Sequence, residues 1–181
     1  MRWTTHERTP IYRSEWVELW LDDVEVPGGQ RFEHHVLRFP KHSNVAVVAR
    51  DGEVLLIWRH RFITDSWGWE VPGGWSEPGE DPETTIRREI EEETGWRADS
   101  VRKLLDYNAI SGIGDMHFSL FLAHGAERVS APQDVNETDR AEWKSLTEVR
   151  KLLDSGHITD GPSVTALSYY LAVEATGTAP A

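Results

Sequence analysis

The sequence predicts an α/β fold in which helices cover both faces of a mixed β-sheet. Antiparallel pairs of strand-like runs come first, one helix lies in the middle, and more strands and then helices complete the chain. This order does not fit a regular βαβ array, which alternates strands and helices. The 181 residues suit one compact domain with a small N-terminal arm.

Two hairpins are predicted before the first helix. The strand-like runs "SEWVELWLDDVEV" and "RFEHHVLRF" are separated by the turn sequence "PGGQ". A second hairpin joins "NVAVVAR" to "EVLLIWRH" through Asp51-Gly52, a dipeptide that favours tight turns. A short strand, "WGWEVPGG", then runs into a loop rich in glycine and proline.

The first helix has clear start and stop signals. Asp81 is expected to cap its N-terminus, Pro82 suits the first helical position and Gly95 ends it. Beyond it, "VRKLLDYNAI", "MHFSLFLAHG" and "RAEWKSL" are predicted strands. Two helices, around "LTEVRKLLDSG" and "SVTALSYYLAVEA", precede a flexible tail at 177–181.

Half of the net charge of −12 is concentrated in one segment. Residues 74–96 carry eight acidic and two basic side chains, a balance of −6. Such local acidity argues against a nucleic-acid backbone as the partner. The chain has no cysteine, which excludes thiol chemistry, and no run near the ~18 apolar residues of a membrane span. These features predict a soluble, cytoplasmic protein that binds neither nucleic acid nor membranes.

Three acidic side chains of the first helix share one face. At 100° per residue, Glu89, Glu92 and Glu93 fall within an arc of about 100°. Carboxylates at this spacing repel each other. A hard cation such as Mg²⁺ or Mn²⁺ reverses that repulsion, because it binds carboxylate oxygens and backbone carbonyls. A solvated acidic face is the alternative, but the preceding glycine loop allows close approach to a ligand and favours a metal site.

The same segment resembles the signature of the Nudix hydrolases, G-x5-E-x7-R-E-U-x-E-E-x-G-U, where U is a bulky apolar residue. Its nine specified positions are filled here by Gly74, Glu80, Arg88, Glu89, Ile90, Glu92, Glu93, Gly95 and Trp96. The resemblance implies the Nudix α/β/α sandwich with its mixed sheet. It also implies hydrolysis of a nucleoside diphosphate linked to another group, with metal ions polarising phosphoryl oxygens and activating water.

Metal ligands and catalytic residues are assigned by this resemblance. Glu89, Glu92 and Glu93 are predicted to bind Mg²⁺, or Mn²⁺, together with the carbonyl of Gly73. Arg88 is predicted to orient a glutamate by contacting Glu92 four residues on. Arg88, Glu92 and Glu93 are therefore the predicted catalytic residues of the helix.

Two further acidic residues complete these assignments. The resemblance implies that Glu80 supports the geometry of the loop and helix. A general base or extra metal ligand is expected in "DVNETDRAEW", before the last strand. Glu137 is predicted to fill that role, and Asp139 is the next candidate. The alternative is that Glu137 is a solvated acid of the loop without a catalytic role.

Residues 9–173 also resemble the ADP-ribose and nucleoside diphosphate sugar pyrophosphatases. The runs "VLLIWRHRF" and "WEVPGG" are similar to their usual "LLxxQYRxP…ELPAG". This implies ADP-ribose or a related sugar as the substrate. In that subgroup the N-terminal strands exchange between subunits of a homodimer, so residues 1–40 are predicted to form a dimer-swapped hairpin arm and residues 41–176 the Nudix domain.

Substrate contacts are predicted from residue type. Arg59 and Arg61 suit phosphate oxygens, since a guanidinium binds them bidentately. Arg61 matches the arginine of the subgroup, and a structural ion pair with Glu70, itself a predicted substrate-binding residue, is the alternative. Three tryptophans are candidates to stack on a base, with a place in the core as the alternative: Trp16, Trp20 and Trp67.

Other functions stay open at this point. The loop "YNAISGIGD" lacks the proline that the subgroup often carries, and Gly73 stands where it usually has alanine. Hydrolysis of nucleoside triphosphates or dinucleotides is therefore an alternative. A non-catalytic Nudix-like module that binds nucleotides and regulates is another, although such modules usually lose glutamates that are intact here.

Overall fold

The computed structural model describes residues 1–131 and 138–176, so the predicted tail at 177–181 lies outside the described residues. The chain divides into two compact units. Unit 1 comprises Met1–His42 and Asn108–His117, and unit 2 comprises Ser43–Tyr107 and Phe118–Ala181. Among the described residues, no helix has the length and apolar character needed to cross a bilayer.

Unit 1 contains a three-stranded antiparallel sheet in the order β1-β2-β3. Its strands are β1 (Thr4–Arg13), β2 (Glu18–Glu25) and β3 (Arg31–Arg38). The hairpin of β2 and β3 confirms the first predicted hairpin. Strand β1 was not predicted, because "TTHERTPIYR" lacks an apolar alternation and all ten of its residues are exposed.

A seven-stranded sheet in the order β10-β5-β4-β9-β8 lies at the centre of unit 2, with β6 paired to β5 and β7 to β4. It is mixed, because β4 and β9 run parallel while β4 and β5 run antiparallel. Its strands are β4 (Ser43–Arg50), β5 (Glu53–Arg61), β6 (Ser66–Glu70), β7 (Gly73–Trp75), β8 (Trp96–Asn108), β9 (His117–Arg128) and β10 (Arg140–Ser145).

Turn and cap residues act as the sequence predicts. Asp51 and Gly52 join β4 to β5 with left-handed φ values of 40° and 79°. Helix α1 (Pro82–Thr94) begins after Asp81, whose carboxylate accepts two backbone N–H groups of the first turn. It ends at Gly95, which has a φ of 74°. The two later helices are α2 (Leu146–Asp154) and α3 (Gly161–Thr176).

One face of the large sheet is covered by α1. The side chains of Ile86 and Ile90 are fully buried and pack on Ala46, Val48 and Leu55. Burying two such side chains contributes about 1.5–3 kcal/mol each. This apolar contact fixes the rotation of α1, and therefore the direction in which the neighbouring glutamates point.

The opposite face is covered by α3, which packs against β4. Val45 and Val47 alternate along β4 with the residues under α1 and are also buried. Ala166 and Leu167 of α3 are fully buried as well. Helices therefore cover both faces, which confirms the predicted α/β/α sandwich with a mixed sheet.

Strand β7 was predicted as part of a loop. Gly73 and Gly74 carry no side chains that favour a strand, so the sequence around them reads as a turn. Their partner is distant in sequence: Gly73 pairs with Val45 and Gly74 with Asn44. A Cβ at Gly73 would overlap the carbonyl oxygen of Asn44, so glycine is needed for this close approach of two backbones.

Candidate active site

The glycines of β7 bring bare backbone against the acidic face of α1. A Cβ on Gly74 would overlap the carboxylate of Glu89. The Glu89 side chain is only 15% exposed and thus occupies the space that the missing side chain leaves. A larger residue at position 74 would force the carboxylate of Glu89, a predicted metal ligand at the end of a flexible side chain, to shift.

Arg88 connects three carboxylates. Its Nη1 donates to Glu89 Oε1 and to Glu92 Oε2, at 2.9 Å in each case. Its Nε and Nη2 donate to the two oxygens of Glu80 at 3.1 and 3.0 Å. The predicted contact between Arg88 and Glu92 is therefore present. One positive charge holds Glu89 and Glu92 side by side, which offsets the repulsion between them.

The same contacts shift the protonation of this group. The hydrogen bonds from Arg88 are the largest cause that lowers the pKa of Glu80, to about 2. The pKa of Arg88 is raised above its ordinary value, chiefly by its hydrogen bonds to Glu80 and despite partial burial. Glu80 is therefore ionised throughout the physiological range and supports the structure as a fixed negative charge.

Glu93 makes different contacts from the other two glutamates of the face. It is 3% exposed, and its Oε1 accepts from Arg59 Nη1 at 2.9 Å. Its Oε2 accepts from the backbone N–H of Gly73 at 2.8 Å. Glu93 thus ties the end of α1 to β5 and β7. Each carboxylate oxygen has two lone pairs, so these bonds leave capacity for a further ligand.

The two predicted phosphate-binding arginines lie in different environments. Arg59 is 4% exposed and forms the buried ion pair with Glu93. Arg61 pairs bidentately with Glu70 at 2.9 and 2.6 Å, so the structural alternative stated for it is present. The side chain of Arg61 is 49% exposed, whereas that of Glu70 is 5% exposed. Of the two, only Arg61 presents a large part of its surface to solvent.

The tryptophans predicted to stack on a base occupy both units. In unit 1, Lys41 Nζ lies 3.5 Å from the ring centroid of Trp16, which is half exposed. Trp20 donates from Nε1 to Glu18 at 2.7 Å and lies under the guanidinium of Arg13. Both indoles therefore already pack against a cation.

Trp67 belongs to unit 2 and stacks nearly parallel on Trp58, with ring centroids 6.0 Å apart. It is 54% exposed. The ring of His60 also lies against Trp67, with centroids 5.3 Å apart and planes tilted by 40°, so part of the indole surface is already in contact with a second ring.

The predicted general base cannot be placed, since Glu137 lies outside the described residues. Asp139, the other candidate, is described and half exposed. Its carboxylate accepts from Arg140 Nη1 at 3.1 Å, and its backbone N–H donates to the carbonyl of Trp58. The role of both acids stays a prediction.

Three polar residues near the site were missed from the sequence: Asn44, Ser76 and Thr85. Asn44 and Thr85 are fully buried. A signal was present, because Asn44 directly precedes the apolar run 45–49 of β4, and a polar group buried beside such a run requires a hydrogen-bonding partner.

The donor set of the acidic face suits a hard divalent cation. Two carboxylates, Glu89 and Glu92, converge on the same nitrogen of Arg88, and one of them lies against the bare backbone of Gly74. Oxygen ligands of this kind are those that Mg²⁺ and Mn²⁺ take in proteins.

Comparison with known proteins agrees with this geometry. The NUDIX domain family model matches residues 40–167. A CMP-5'-(N-acetyl-N-hydroxy-3-aminopropyl)phosphonate hydrolase from Streptomyces rubellomurinus is 38% identical over 169 residues, which cover 93% of this chain and 82% of that protein. An ADP-ribose pyrophosphatase from Bacillus subtilis is 29% identical over 176 residues, 94% of each protein.

The fold has a close counterpart among solved structures. The crystal structure of an ADP compounds hydrolase matches 99% of this chain and 98% of its own with a TM-score of 0.83, at 19% identity. The chain belongs to the Nudix hydrolase family, and the predicted fold and enzyme class are confirmed.

Proposed function

We propose that this enzyme hydrolyses the phosphoanhydride bond of a nucleoside diphosphate derivative, with ADP-ribose or a related nucleoside diphosphate sugar as the substrate. Water would add across the bond, giving a nucleoside monophosphate and a sugar phosphate. The observation that carries the proposal is the hold of Arg88 on Glu80, Glu89 and Glu92 at once. The Bacillus subtilis relative, an ADP-ribose pyrophosphatase, supports the substrate class.

We propose that the cofactor is Mg²⁺, with Mn²⁺ as a substitute, and that it is bound by Glu89, Glu92, Glu93 and the Gly73 carbonyl. The ion would polarise phosphoryl oxygens and lower the pKa of water. Arg88 keeps Glu89 and Glu92 aimed at one point. The two bonds that Glu93 accepts fix its carboxylate at the junction of α1 and the sheet, where rotation is restricted.

Substrate recognition is proposed for the partly exposed side chains. Arg61 is held by the buried Glu70, so its guanidinium has a fixed orientation while half of its surface remains open to a phosphate. Stacking of the base on Trp16, Trp20 or Trp67 and proton transfer by Glu137 or Asp139 are further parts of the proposal.

A second candidate substrate is a nucleotide joined to a phosphonate. The Streptomyces relative is named as the hydrolase of a CMP-linked phosphonate and is 38% identical over 93% of this chain. A phosphate-phosphonate anhydride places two anionic phosphorus groups next to each other, as a diphosphate does. The same metal and arginine contacts therefore suit both compounds.

The test is product analysis with a substrate panel at fixed Mg²⁺. ADP-ribose, GDP-mannose, a CMP-phosphonate, ATP and a dinucleoside polyphosphate are incubated with the protein and the products separated. AMP and ribose 5-phosphate from ADP-ribose are expected. Exclusive cleavage of the CMP-phosphonate selects the second candidate, and absence of turnover with ADP-ribose, GDP-mannose and the CMP-phosphonate alike would sink both.

We also propose a cytoplasmic homodimer in which residues 1–40 form an exchanged arm and residues 41–176 the catalytic domain. The support is β1, since all of its residues are exposed, including the apolar Ile11 and Tyr12. An edge strand of this kind is stabilised when a partner covers it. Light scattering of the intact chain tests the assembly, and a monomer at micromolar concentration would overturn it.

A further inference from the structure

A chain of polar side chains leads from the central strand of unit 2 to Glu80. Asn44 Nδ2, on β4, donates to Ser76 Oγ at 2.9 Å. Ser76 Oγ lies 2.9 Å from Thr85 Oγ1 on α1, and Thr85 Oγ1 lies 2.9 Å from Glu80 Oε2. Asn44 and Thr85 are fully buried, so water does not compete strongly for these bonds.

The donors and acceptors of this chain follow from the chemistry of its side chains. The amide nitrogen of Asn44 can only donate, and the carboxylate of Glu80, ionised, can only accept. Ser76 Oγ has two lone pairs and accepts from both Asn44 Nδ2 and the hydroxyl of Thr85. The single hydrogen of the Thr85 hydroxyl has three acceptors within reach: Ser76 Oγ, Glu80 Oε2 and the carbonyl of Asp81 at 3.1 Å. The carboxylate of Glu80 is the strongest of the three.

The end of the chain is the oxygen that also accepts from Arg88. Glu80 Oε2 takes Arg88 Nη2 at 3.0 Å, the Thr85 hydroxyl at 2.9 Å and the backbone N–H of Glu77 at 3.1 Å. These donors approach from α1 and from the loop before it, so they determine where the carboxylate lies. The other end of the Arg88 guanidinium holds Glu89 and Glu92.

We propose that Asn44, Ser76 and Thr85 are positioning residues for the divalent cation, and that they act through Glu80 and Arg88. This inference rests on the proposed metal site. Thr85 fixes the Glu80 carboxylate, Glu80 fixes the Arg88 guanidinium, and the guanidinium presents Glu89 and Glu92 together. Through Asn44, that arrangement is anchored to the central strand of the sheet rather than to the surface loop alone.

The test measures Mn²⁺ binding through the electron paramagnetic resonance signal of the free ion. This measurement needs neither substrate nor turnover. Thr85→Val keeps the shape of the side chain and removes its hydroxyl. We expect it to weaken Mn²⁺ binding about tenfold, the lower end of the effect of groups that orient metal ligands. Thr85→Ser restores the hydroxyl and is expected to restore affinity to within about twofold of the wild type.

Thr84→Val is the matched control. Thr84 is the preceding residue of α1, is exposed, and donates to Asp81 rather than to Glu80. Its replacement lowers helix capping but is expected to leave Mn²⁺ affinity unchanged. Equal affinity of Thr85→Val and the wild type would overturn the inference, as would an equal loss in Thr84→Val, which would indicate a general effect on α1.

A double-mutant cycle tests the route. If Thr85 acts through Glu80, Thr85→Val weakens Mn²⁺ binding in the wild type and has no further effect in Glu80→Gln. Additive losses would show that Thr85 acts by another route. Should Thr85→Val fail to fold, Ser76→Ala removes the middle hydroxyl of the same hydrogen-bonded chain and is also expected to weaken Mn²⁺ binding. Unchanged Mn²⁺ affinity in Ser76→Ala would contradict the inference.

The outcome is separable from the proposed hydrolysis. A protein that binds Mn²⁺ with the expected pattern of variants and cleaves no substrate of the panel would overturn the function and leave this inference standing. If the wild type turns over substrate but Thr85→Val binds Mn²⁺ as tightly as the wild type, this inference is overturned and the proposed function stands. A wild type that binds no Mn²⁺ at millimolar concentration would overturn both the metal site and the inference.

Discussion

Arg88 and Glu80 form a two-point ion pair across eight positions of the chain, with N···O distances of 3.1 and 3.0 Å. Residues eight apart on a straight helix are separated by about 12 Å of rise, so this pair is not a contact along α1. It forms because Glu80 precedes the helix and folds back over its first turns. The pair therefore closes the glycine loop onto the helix that carries the acidic face.

Acid unfolding should report this pair. The pKa of Glu80 is lowered from 4.5 to about 2, so the ionised form is favoured by folding. The stabilisation is fully present above about pH 4.5 and is lost as the pH falls towards 2. We expect Glu80→Gln to be less stable than the wild type at pH 7 and to lose less stability between these values. Urea unfolding at a series of pH values measures the free energy of unfolding of both proteins. Parallel pH profiles would contradict the lowered pKa of Glu80.

Arg88→Lys should disrupt the acidic face despite keeping the charge. A lysine ammonium is a single point, whereas the guanidinium of Arg88 bonds Glu80 through Nε and Nη2 and both Glu89 and Glu92 through Nη1. We expect Mn²⁺ affinity and kcat/KM for ADP-ribose to fall by about tenfold or more.

The neighbouring Arg87 provides the control for that change. Its side chain is 40% exposed, pairs with Glu83 four residues before it, donates weakly to the carbonyl of Ala98, and makes no bond to the acidic face among those described. Arg87→Lys is expected to change kcat/KM by less than about twofold, since exposed pairs of this kind contribute little. Equal losses in the two variants would show that Arg88 has no special role.

Glu93→Gln should lower turnover strongly while the protein still folds. One oxygen becomes an NH₂ group, which then faces either the Arg59 guanidinium or the Gly73 N–H, both of them donors. We expect a fall in kcat of about 100-fold, and a loss of unfolding free energy of about 1–3 kcal/mol. Initial rates and urea unfolding measure the two effects.

Glu91→Gln makes the same chemical change on the other side of α1. Glu91 pairs at the surface with Arg97, which lowers the pKa of its carboxyl. This variant is expected to keep the rate of the wild type. Unaltered rates in Glu93→Gln, or a matching loss in Glu91→Gln, would contradict a metal role for Glu93.

What the sequence predicts well are features set by neighbours in the chain. The capping of α1 by Asp81 and its termination at Gly95 depend on a few adjacent residues, and both are present. The arc of acidic side chains follows from helical geometry alone. Arg88 and Glu92 are four residues apart in the same helix, so their contact was predicted from helical geometry as well.

Features that depend on distant partners were not predictable. Strand β7 exists because β4 offers a backbone close enough for glycine alone, and the sequence near Gly73 contains no trace of that partner. The chain from Asn44 to Thr85 joins residues 41 positions apart through Ser76. The bonds of Glu93 to Arg59 and Gly73 are equally long-range, so helical geometry placed Glu93 on the acidic face without revealing that it is tied to the sheet.

Gly74→Ala should separate the role of the glycine loop from that of the glutamates. The new methyl group would overlap the carboxylate of Glu89 and force this flexible side chain to shift from the place where it bonds Arg88. We expect weaker Mn²⁺ binding by about tenfold and little loss of unfolding free energy, since a flexible side chain shifts at low cost. Gly161→Ala, at the start of α3 where a Cβ meets no atom within 4 Å, is the matched control and is expected to change neither quantity. Titration with Mn²⁺ and urea unfolding of both variants measure the two effects. Wild-type affinity in Gly74→Ala would mean that the position of Glu89 against bare backbone has no part in binding the cation.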